Sequence, residues 1–539
     1  MTDYAATARA FRWQVPERFN FARDVVDRWA ADPDKPALTW CDASGAAQTF
    51  TFAEIARLSR RFANLLATHG VGRGDRVIVM LPRLPQWQVA MVGALRAGAV
   101  PIPCIEMLTE RDVAYRVAHS GAVAAVTTAA NVGKFAGAER LRLRLSVHDA
   151  TVPVGAPPGW LDLTAALAAQ PDECEPADLA ADEPAIMYYT SGSTGHPKGV
   201  THAARAIWAW RVSAWYWLDL KPDDLMWCTA DTGWSKAGTS ILFGPWSCGA
   251  HVLFYNGPFE PLRRFELIAR HRVSVFCAAA TELRRLIAED PSAFDLTALR
   301  LAVSAGETVS PEVVRRWRAL TGVPLLDGYG QTETLMTVLN YPCMPVKPGA
   351  MGRPLPGTEV ALVDGRGGLA ARGEAGQLAI RLPNPQVMLG YWQDEERSAA
   401  ARVRIGAHEY WLTGDVVRMD EDGYLFYEGR GDDVINSAGY RIGPTEVENA
   451  LIEHPAVQES AAVASPDAER GEVVKAFVVL RTPYEPSERL ARELQEHVKR
   501  VTAPYKYPRR IEFVADLPKT ASGKVQRRRL RDREFSGRG

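Results

Sequence analysis

The chain has little net charge, few cysteines and no long uninterrupted apolar segment. Its 539 residues include 63 basic and 64 acidic side chains, so it has no overall basic excess with which to neutralise a nucleic-acid backbone. The seven cysteines are odd in number and include no C-x-x-C pair, which argues against a disulfide framework and against zinc. We therefore expect a reducing compartment, core thiols and no nucleic-acid partner.

The amino terminus lacks the apolar segment that defines a signal peptide. Asp3 and Glu17 also interrupt any transit-peptide character there. The most apolar long stretch, residues 87–105, contains Arg96 and two prolines, so it cannot cross a bilayer as one apolar helix. The sequence predicts a cytoplasmic protein without a membrane span.

Apolar strand patterns alternate with helical patterns along most of the chain. Residues 76–103 read as strand, helix and strand, and residues 301–320 read as strand, loop and helix. In the second segment Ser310 is a suitable N-cap, and Pro311 suits the first helical position. The alternation predicts an α/β fold with largely parallel sheets. A chain of this length is expected to form at least two domains.

A break in the pattern occurs at residues 429–433, GRGDD, which contain glycine and charge but no apolar residue. This is linker composition. Beyond it, Thr445 and Glu448 have the spacing of a capping box, and one helical face carries Leu490, Leu494, Val498 and Val501. The predicted divisions are a large domain over residues 1–429, a hinge over 430–432 and a small α+β domain over 433–539.

A glycine- and hydroxyl-rich segment, YYTSGSTGHPKG, occupies residues 188–199. Glycines let main-chain N–H groups approach phosphate oxygens, hydroxyls add donors, and Lys198 adds positive charge. The spacing differs from that of a P-loop, because Lys198 precedes Gly199 rather than Ser or Thr. A surface turn can have the same composition, but together with the motifs below the segment predicts an ATP site. The residues expected to hold phosphate are Thr190, Ser191, Gly192, Ser193, Thr194, Gly195 and Lys198.

Further motifs follow in a fixed order: DGYGQTET at 327–334, WLTGD at 411–415, GRGDDVINSAGYRIGPTEVE at 429–448 and PKTASGKVQRRRLR at 518–531. With the phosphate loop, this pattern resembles the adenylate-forming superfamily of acyl-CoA synthetases, luciferases and nonribosomal adenylation domains. Within it the chain is most similar to the medium-chain acyl-CoA synthetases. The resemblance implies a large multi-sheet N-terminal adenylating domain and a small mobile C-terminal domain. It also implies that Mg-ATP activates a carboxylic acid as acyl-AMP, which then acylates coenzyme A.

The resemblance assigns roles to residues around the nucleotide. Glu333 is expected to be the magnesium ligand, and Thr332 to contact the α-phosphate near the acyl carboxylate. Asp415 is expected to accept hydrogen bonds from the ribose hydroxyls, with Arg430 assisting from the hinge side. Tyr329 offers a flat face to adenine, since stacking needs little sequence specificity. The other residues expected at the nucleotide are Gly306, Glu307, Asp327, Gly328, Gly330 and Gln331.

The resemblance makes Lys524 the catalytic lysine of the first half-reaction, where it bridges the substrate carboxylate and the α-phosphate. Because Lys524 would obstruct thiol entry, the small domain is expected to rotate about Asp432. The expected contacts of coenzyme A are Ala438, Gly439, Tyr440, Arg441 and Arg470. The neighbouring Arg527, Arg528 and Arg529 are interpreted as surface charge.

The acyl site is the least defined part of the prediction. The resemblance places it near residues 230–246, where Trp234 and Trp246 suit apolar walls, although tryptophans in an apolar stretch are more often core residues. Polar and small residues follow Trp234, where mammalian medium-chain enzymes have more apolar ones. Short, branched and aromatic, benzoate-like acids therefore stay open beside medium-chain acids, and the oligomeric state is not indicated.

Other functions share parts of this pattern. One alternative is a non-catalytic nucleotide-binding homologue, which the joint presence of the lysine, carboxylate and arginine motifs disfavours. Another is an adenylation domain that feeds a carrier protein, or a luciferase-like oxidase. The segment RGEVVKAF at residues 470–477 favours free coenzyme A as the acyl acceptor.

Overall fold

The computed structural model describes residues 1–148, 156–190, 197–371, 373–437, 440–467, 470–502, 504–520 and 523–536. The α-helices in these ranges are α1 (Tyr4–Ala10), α2 (Phe52–Thr68), α3 (Pro85–Arg96), α4 (Glu110–Ser120), α5 (Leu163–Ala168), α6 (Ala204–Tyr216), α7 (Ser235–Ala237), α8 (Phe243–Ser247), α9 (Pro261–His271), α10 (Ala280–Leu286), α11 (Pro311–Thr321), α12 (Glu395–Ala400), α13 (Pro444–Ile452), α14 (Glu488–Val501) and α15 (Arg527–Ser536).

The strands are β1 (Pro36–Asp42), β2 (Ala47–Thr51), β3 (Arg76–Met80), β4 (Val100–Pro103), β5 (Ala124–Thr128), β6 (Leu143–Val147), β7 (Leu161–Asp162), β8 (Pro184–Thr190), β9 (Lys198–Ala203), β10 (Leu225–Cys228), β11 (His251–Asn256), β12 (Val275–Cys277), β13 (Leu301–Ala305), β14 (Leu325–Gln331), β15 (Leu335–Leu339), β16 (Ala350–Pro354), β17 (Val360–Val363), β18 (Ala375–Arg381), β19 (Gly390–Tyr391), β20 (Arg402–Ile405), β21 (His408–Met419), β22 (Leu425–Arg430), β23 (Ile435–Ser437), β24 (Tyr440–Ile442), β25 (Val457–Asp467), β26 (Gly471–Leu480) and β27 (Arg510–Phe513).

The largest sheet is parallel in one half and antiparallel in the other. Strands β1, β11, β10, β12, β13 and β14 are parallel neighbours in that order. Their residues are almost continuously buried, as in β13, because helices or other elements cover both faces of parallel sheets. From β14 the sheet continues antiparallel through β15, β16, β22, β21, β18 and β17.

Two further sheets complete the N-terminal part. Strands β4, β3, β5, β6 and β7 form a parallel sheet, and β19, β9 and β8 form an antiparallel one. The predicted α/β class is therefore confirmed, but the expectation of largely parallel sheets holds only for the sheet of β4, β3, β5, β6 and β7 and for one half of the largest sheet. The N-cap prediction is confirmed too, because the Ser310 side chain accepts from the Val313 N–H with Pro311 at the start of α11.

The C-terminal residues form their own sheet of β24, β23, β26 and β25, with β27 beside β26. Leu490, Leu494 and Val498 of α14 are buried as predicted, whereas Val501 at its last position is 43% exposed. The capping box at Thr445 is wrong. Pro444 takes the first helical position and Gly443 becomes the N-cap, because the fixed φ of proline favours that position. Within the described ranges, no helix has both the length and the apolarity needed to cross a membrane.

Candidate active site

The candidate site lies beyond the carboxyl ends of the parallel strands. Strands β10, β12, β13 and β14 end side by side because they are parallel neighbours, and ligands of such sheets bind beyond these ends. The segments that follow β10, β13 and β14 carry Trp234, Glu307 and Glu333. Strands β21 and β22 add Asp415 and Arg430, which are paired in register.

Asp415 is the centre of a buried hydrogen-bond cluster. Its Oδ2 accepts from the Tyr329 hydroxyl at 2.5 Å and from Gln331 Nε2 at 2.5 Å. Its Oδ1 lies 3.1 Å from Arg430 Nη1. The Asp415 side chain is only 5% exposed, so these donors replace the water that a carboxylate would otherwise need. The cluster brings four predicted nucleotide residues together: Tyr329, Gln331, Asp415 and Arg430.

Two groups of this cluster, the Tyr329 hydroxyl and the Arg430 guanidinium, have raised pKa values. Burial raises the pKa of Tyr329, and the neighbouring Asp415 raises it further, so the hydroxyl remains a donor. Burial alone would lower the pKa of Arg430, but Asp415, with Tyr427 and Tyr329, outweighs burial and the pKa is raised. Arg430 is therefore a permanent cation beside a buried carboxylate, at the start of the predicted hinge.

Glu333 and Lys198 lie on either side of one tyrosine. The Tyr391 hydroxyl donates to Glu333 Oε1 at 2.9 Å, and Lys198 Nζ lies 5.0 Å from the centroid of the Tyr391 ring. Lys198 begins β9 and pairs with Thr190 at the end of β8. Burial and the nearby Arg397 lower the pKa of Lys198, whereas Glu333 opposes them. This arrangement puts a cation and a carboxylate together where the sequence predicts the phosphate site.

Thr332 is held through both its main chain and its side chain. Its carbonyl accepts from His202 Nε2 at 2.6 Å, and its Oγ1 lies 3.1 Å from Ser235 Oγ. A carbonyl can only accept, so Nε2 of His202 carries the hydrogen. Burial lowers the pKa of His202 to about 4, so the imidazole is neutral at physiological pH. Thr332 is thus fixed by a histidine on β9, next to the phosphate segment.

Lys524 reaches the same cleft from the C-terminal domain. Its main-chain N–H donates to Thr520 Oγ1 at 3.2 Å, which shapes the turn that carries it. The side chain is open to solvent, yet surrounding protein lowers its pKa, while Glu307 and Asp415 act in the opposite direction. Both observations fit a side chain in a narrow cleft, where water reaches an ammonium that protein largely surrounds.

The loop after β13 carries Gly306 and Glu307. Gly306 has a positive φ of +91°, which glycine adopts without strain. The Glu307 carboxylate accepts from the Thr281 N–H at 3.3 Å, and burial raises its pKa against the opposing effect of Arg284. Asp327 of β14 lies near this loop, and its carboxyl accepts hydrogen bonds from the Val309 and Gly328 N–H groups. Burial raises the pKa of Asp327 to about 8.

The two predicted acyl walls differ in their surroundings. Trp234 is partly buried and packs against the apolar cluster that includes Ile105 and Tyr189. Trp246 is fully buried and its Nε1 donates to the Ala37 carbonyl at 3.1 Å. Trp246 is therefore a core residue, which agrees with the alternative that the sequence leaves open for it.

The residues predicted to bind coenzyme A and to form the hinge are described only in part. Arg470 is exposed, next to Gly471, which pairs with Ser437 of β23; this places Arg470 beside the predicted coenzyme A segment. For Asp432, Tyr440 and Arg441 the structure describes the backbone. The residues that fall outside the described ranges are Ser191, Gly192, Ser193, Thr194, Gly195, Ala438 and Gly439.

Arg527 corrects the interpretation of the basic tail as surface charge. Its guanidinium forms a bidentate pair with Glu448 of α13, at 2.9 and 2.6 Å. The Glu448 side chain is 9% exposed and the Arg527 side chain 24% exposed. Arg528 is 57% exposed and has only a 3.7 Å contact with Asp532. The pair with Glu448 joins α15 to α13 within the small domain.

We expect Arg527→Ala to lower the free energy of unfolding by about 2–4 kcal/mol, because it leaves the Glu448 carboxylate buried and unpaired. Chemical denaturation of the full chain, followed by far-UV circular dichroism, measures the change. Arg528→Ala is the matched control, with an expected change within about 0.5 kcal/mol, since exposed ion pairs contribute little. Equal stabilities of the two variants would contradict the structural role of Arg527.

Three further residues near the site have no role that the sequence predicts. Tyr391 and His202 contact Glu333 and Thr332, but neither belongs to a motif with a predicted role. Lys236 donates to the Ala305 carbonyl at 3.1 Å. Burial opposes its charge, but acidic neighbours, among them Cys277 and Glu307, raise its pKa. These residues are revealed only by their contacts across the fold.

The profile of the AMP-binding enzyme family matches residues 25–392, and the profile of the AMP-binding enzyme C-terminal domain matches residues 446–524. The chain belongs to the AMP-binding enzyme family. Among curated relatives, acyl-coenzyme A synthetase ACSM3, mitochondrial, of Homo sapiens is 41% identical over 551 residues, covering 99% of this chain and 93% of the relative.

Solved structures of acyl-CoA-forming members of the AMP-binding enzyme family have the same fold. An acyl-CoA synthetase of Brucella canis is 35% identical, with a TM-score of 0.77 and 100% of each chain covered. A benzoate CoA ligase of Burkholderia xenovorans is 31% identical, with a TM-score of 0.83, covering 95% of this chain and 100% of the other. The chain is thus an AMP-binding enzyme with the fold of the acyl-CoA ligases.

Proposed function

We propose that this chain is an ATP-dependent acyl-CoA ligase that forms AMP and acts on a small to medium-chain carboxylic acid. The observation that carries the proposal is the position of Lys524. A lysine from the C-terminal domain reaches the cleft that already contains Asp415 and Glu307. A nucleotide-binding protein without catalysis has no need of such a lysine, whereas acid activation has.

The Asp415 cluster supports the placement of the nucleoside. A buried carboxylate with two oxygens can accept from both ribose hydroxyls, and Tyr329 lies against it with a flat ring. Gly306 lies beyond the end of β13, where an added Cβ would meet no atom within 4 Å, so this glycine leaves open space beside the proposed nucleoside position. Asp327 stays a proposed nucleotide residue, and its carboxyl accepts hydrogen bonds from the Val309 and Gly328 N–H groups.

The phosphate end fits magnesium. Mg²⁺ usually takes one or two protein carboxylates and fills its other positions with water and substrate phosphates, so Glu333 alone is a sufficient protein ligand. The described residues contain no cluster of three or more His, Cys, Asp or Glu side chains that would suit another kind of metal site. When bound, the ion supplies positive charge against the phosphates. Lys198 and the phosphate-loop residues hold the β- and γ-phosphates.

In the first half-reaction a carboxylate oxygen of the acid attacks the α-phosphorus of ATP, and the bond to the β-phosphate oxygen breaks. Pyrophosphate leaves and acyl-AMP remains. Both reactants are anions, so fixed positive charge at the reacting oxygens lowers the barrier. Lys524 supplies this charge, and the Thr332 hydroxyl, held near Ser235, donates to the α-phosphate.

In the second half-reaction the thiol of coenzyme A attacks the acyl carbon, and AMP leaves. Lys524 would stand in the path of the thiol, so the small domain rotates at Asp432 and withdraws it. The domain division at residues 430–432 is part of this proposal. Ala438, Gly439, Tyr440, Arg441 and Arg470 then face the cleft, and the arginines meet phosphate groups of coenzyme A.

A panel of carboxylic acids tests both the activity and the substrate class. We expect AMP and pyrophosphate to appear only with a suitable acid, and acyl-CoA when coenzyme A is added. Linear acids of two to twelve carbons, branched acids and benzoate should be compared by kcat/KM. A best substrate among linear acids supports the medium-chain proposal, and preference for benzoate favours the aromatic alternative. ADP as product would contradict the proposed chemistry.

Two alternatives are answered by the same assays. A non-catalytic homologue would bind ATP without releasing pyrophosphate with any acid, and an acyl transfer to a carrier protein would leave free coenzyme A unused.

The cytoplasmic location stays a prediction, since the ACSM3 relative is named as mitochondrial.

A further inference from the structure

A short strand connects the phosphate segment to the predicted magnesium ligand. Tyr391 of β19 pairs with Val200 of β9, and the N–H of Trp392 donates to the Gly199 carbonyl at 2.7 Å. Upstream of β19, the N–H of Met388 donates to the Glu333 carbonyl at 2.9 Å. Main-chain hydrogen bonds of residues 388–392 thus connect the phosphate segment to Glu333.

The side chain of Tyr391 repeats this connection. Its hydroxyl donates to Glu333 Oε1 at 2.9 Å, and its ring lies 5.0 Å from Lys198 Nζ. A cation over the face of an aromatic ring is attracted by the ring electrons. One side chain therefore contacts both charged residues that the proposed reaction needs at the pyrophosphate end.

Tyr391 is itself held in place. Its N–H donates to Ser398 Oγ at 2.9 Å, and its ring packs on Trp411 with centroids 6.3 Å apart. A phenol keeps its hydrogen at neutral pH, so the Tyr391 hydroxyl donates to the Glu333 carboxylate. A donor fixed in this way restricts the rotation of the Glu333 carboxylate about its last torsion.

We propose that Tyr391 is a positioning residue that orients the Glu333 carboxylate and the Lys198 ammonium together, so that magnesium and the leaving pyrophosphate are held by one preorganised pair. The inference rests on the proposed function, because it assigns Glu333 to magnesium. It goes beyond it in giving a role to a residue outside the nucleotide motifs. Partners that orient metal ligands typically change metal affinity by about 10- to 100-fold when removed.

Two substitutions separate the contacts of Tyr391. Tyr391→Phe removes the hydroxyl bond to Glu333 and retains the ring beneath Lys198. Tyr391→Leu removes both contacts. Isothermal titration calorimetry of ATP binding, at a series of Mg²⁺ concentrations and without added acid, measures the effect independently of turnover.

For Tyr391→Phe we expect the Mg²⁺ concentration that half-saturates the gain in ATP affinity to rise by about 10-fold, while ATP affinity without Mg²⁺ is unchanged. For Tyr391→Leu we expect ATP affinity without Mg²⁺ to fall as well, by about 3-fold, since Lys198 loses its ring contact. With acyl-AMP supplied, transfer to coenzyme A should stay within about twofold of the parent in Tyr391→Phe, because that step does not use the pyrophosphate end.

Tyr424 provides the matched control. Its hydroxyl donates to the Pro345 carbonyl at 2.8 Å, and Lys347 Nζ lies 4.4 Å from its ring centroid, so it has the same two kinds of contact at another place. Tyr424→Phe should leave the Mg²⁺ dependence unchanged. A Tyr391→Phe protein with unaltered Mg²⁺ dependence, or with equal losses in both half-reactions, would overturn the proposal. A parent protein that binds Mg-ATP but activates no acid would contradict the proposed function and leave the Tyr391 experiment interpretable.

Discussion

Replacement of Lys524 by alanine is expected to lower the rate of acyl-adenylate formation by about 10²- to 10³-fold, the usual effect of removing a donor from developing negative charge. The lysine lies in a cleft near Glu307 and Asp415, where the protein that surrounds it strengthens its field on the reacting oxygens. Pyrophosphate exchange into ATP, in the presence of the best acid, measures this half-reaction alone.

The same variant should transfer acyl groups from supplied acyl-AMP to coenzyme A at nearly the parental rate. The reason is that the proposed rotation withdraws Lys524 before the thiol enters. Lys499→Ala is a suitable control on the same domain, since Lys499 contacts Glu496 and the ring of Tyr507 at the surface; both half-reactions should be unchanged. Equal loss of the two half-reactions in Lys524→Ala would refute the two-conformation scheme.

Replacement of Asp415 by alanine is expected to lower kcat/KM for ATP by about 10²- to 10⁴-fold. Two hydrogen bonds from ribose hydroxyls to a carboxylate are worth about 1.5–3 kcal/mol each. The loss also leaves Arg430 without its buried counter-charge. Initial-rate kinetics with varied ATP at saturating acid measures the change.

Deoxynucleotides identify the cause of that loss. The parent should use 2′-deoxyATP and 3′-deoxyATP about 10- to 100-fold less efficiently than ATP, and Asp415→Ala should barely distinguish the three. Asp420→Ala, which breaks a 2.6 Å surface pair with Lys347, should keep the parental discrimination. If Asp415→Ala still prefers ATP by the parental factor, Asp415 does not bind the ribose.

The fold and much of the cleft follow from local patterns. Buried apolar runs such as β13 predict parallel strands, and the family resemblance that the motifs carry implies that Lys198, Glu333, Asp415 and Lys524 converge. The structure brings these four to one cleft, although they are separated by up to 326 positions in the sequence. Motifs carry this information because each is a short segment whose residues act together.

Residues that act through long-range contacts leave no such trace. Tyr391 lies 58 positions from Glu333, and His202 lies 130 positions from Thr332, so nothing in their neighbourhood announces the partner. A run of basic residues usually lies on the surface, which is why the sequence predicts surface charge at Arg527. In the fold, α15 packs near α13, and Arg527 pairs with Glu448. The predicted capping box at Thr445 is wrong for a local reason, because Pro444 already occupies the first position of the helix.

The hydrogen bond between His202 and Thr332 separates two responses to acid. Because burial lowers the pKa of His202 to about 4, the native protein keeps this imidazole neutral, whereas an unfolded chain protonates it near pH 6.5. The unfolded state then binds more protons between these values, so stability declines as the pH falls through that interval. The bond itself is the same throughout the neutral and alkaline range. Protonation of His202 therefore lowers activity at acid pH by unfolding the protein. A decline of the reaction rate at alkaline pH has to come from other titrating groups.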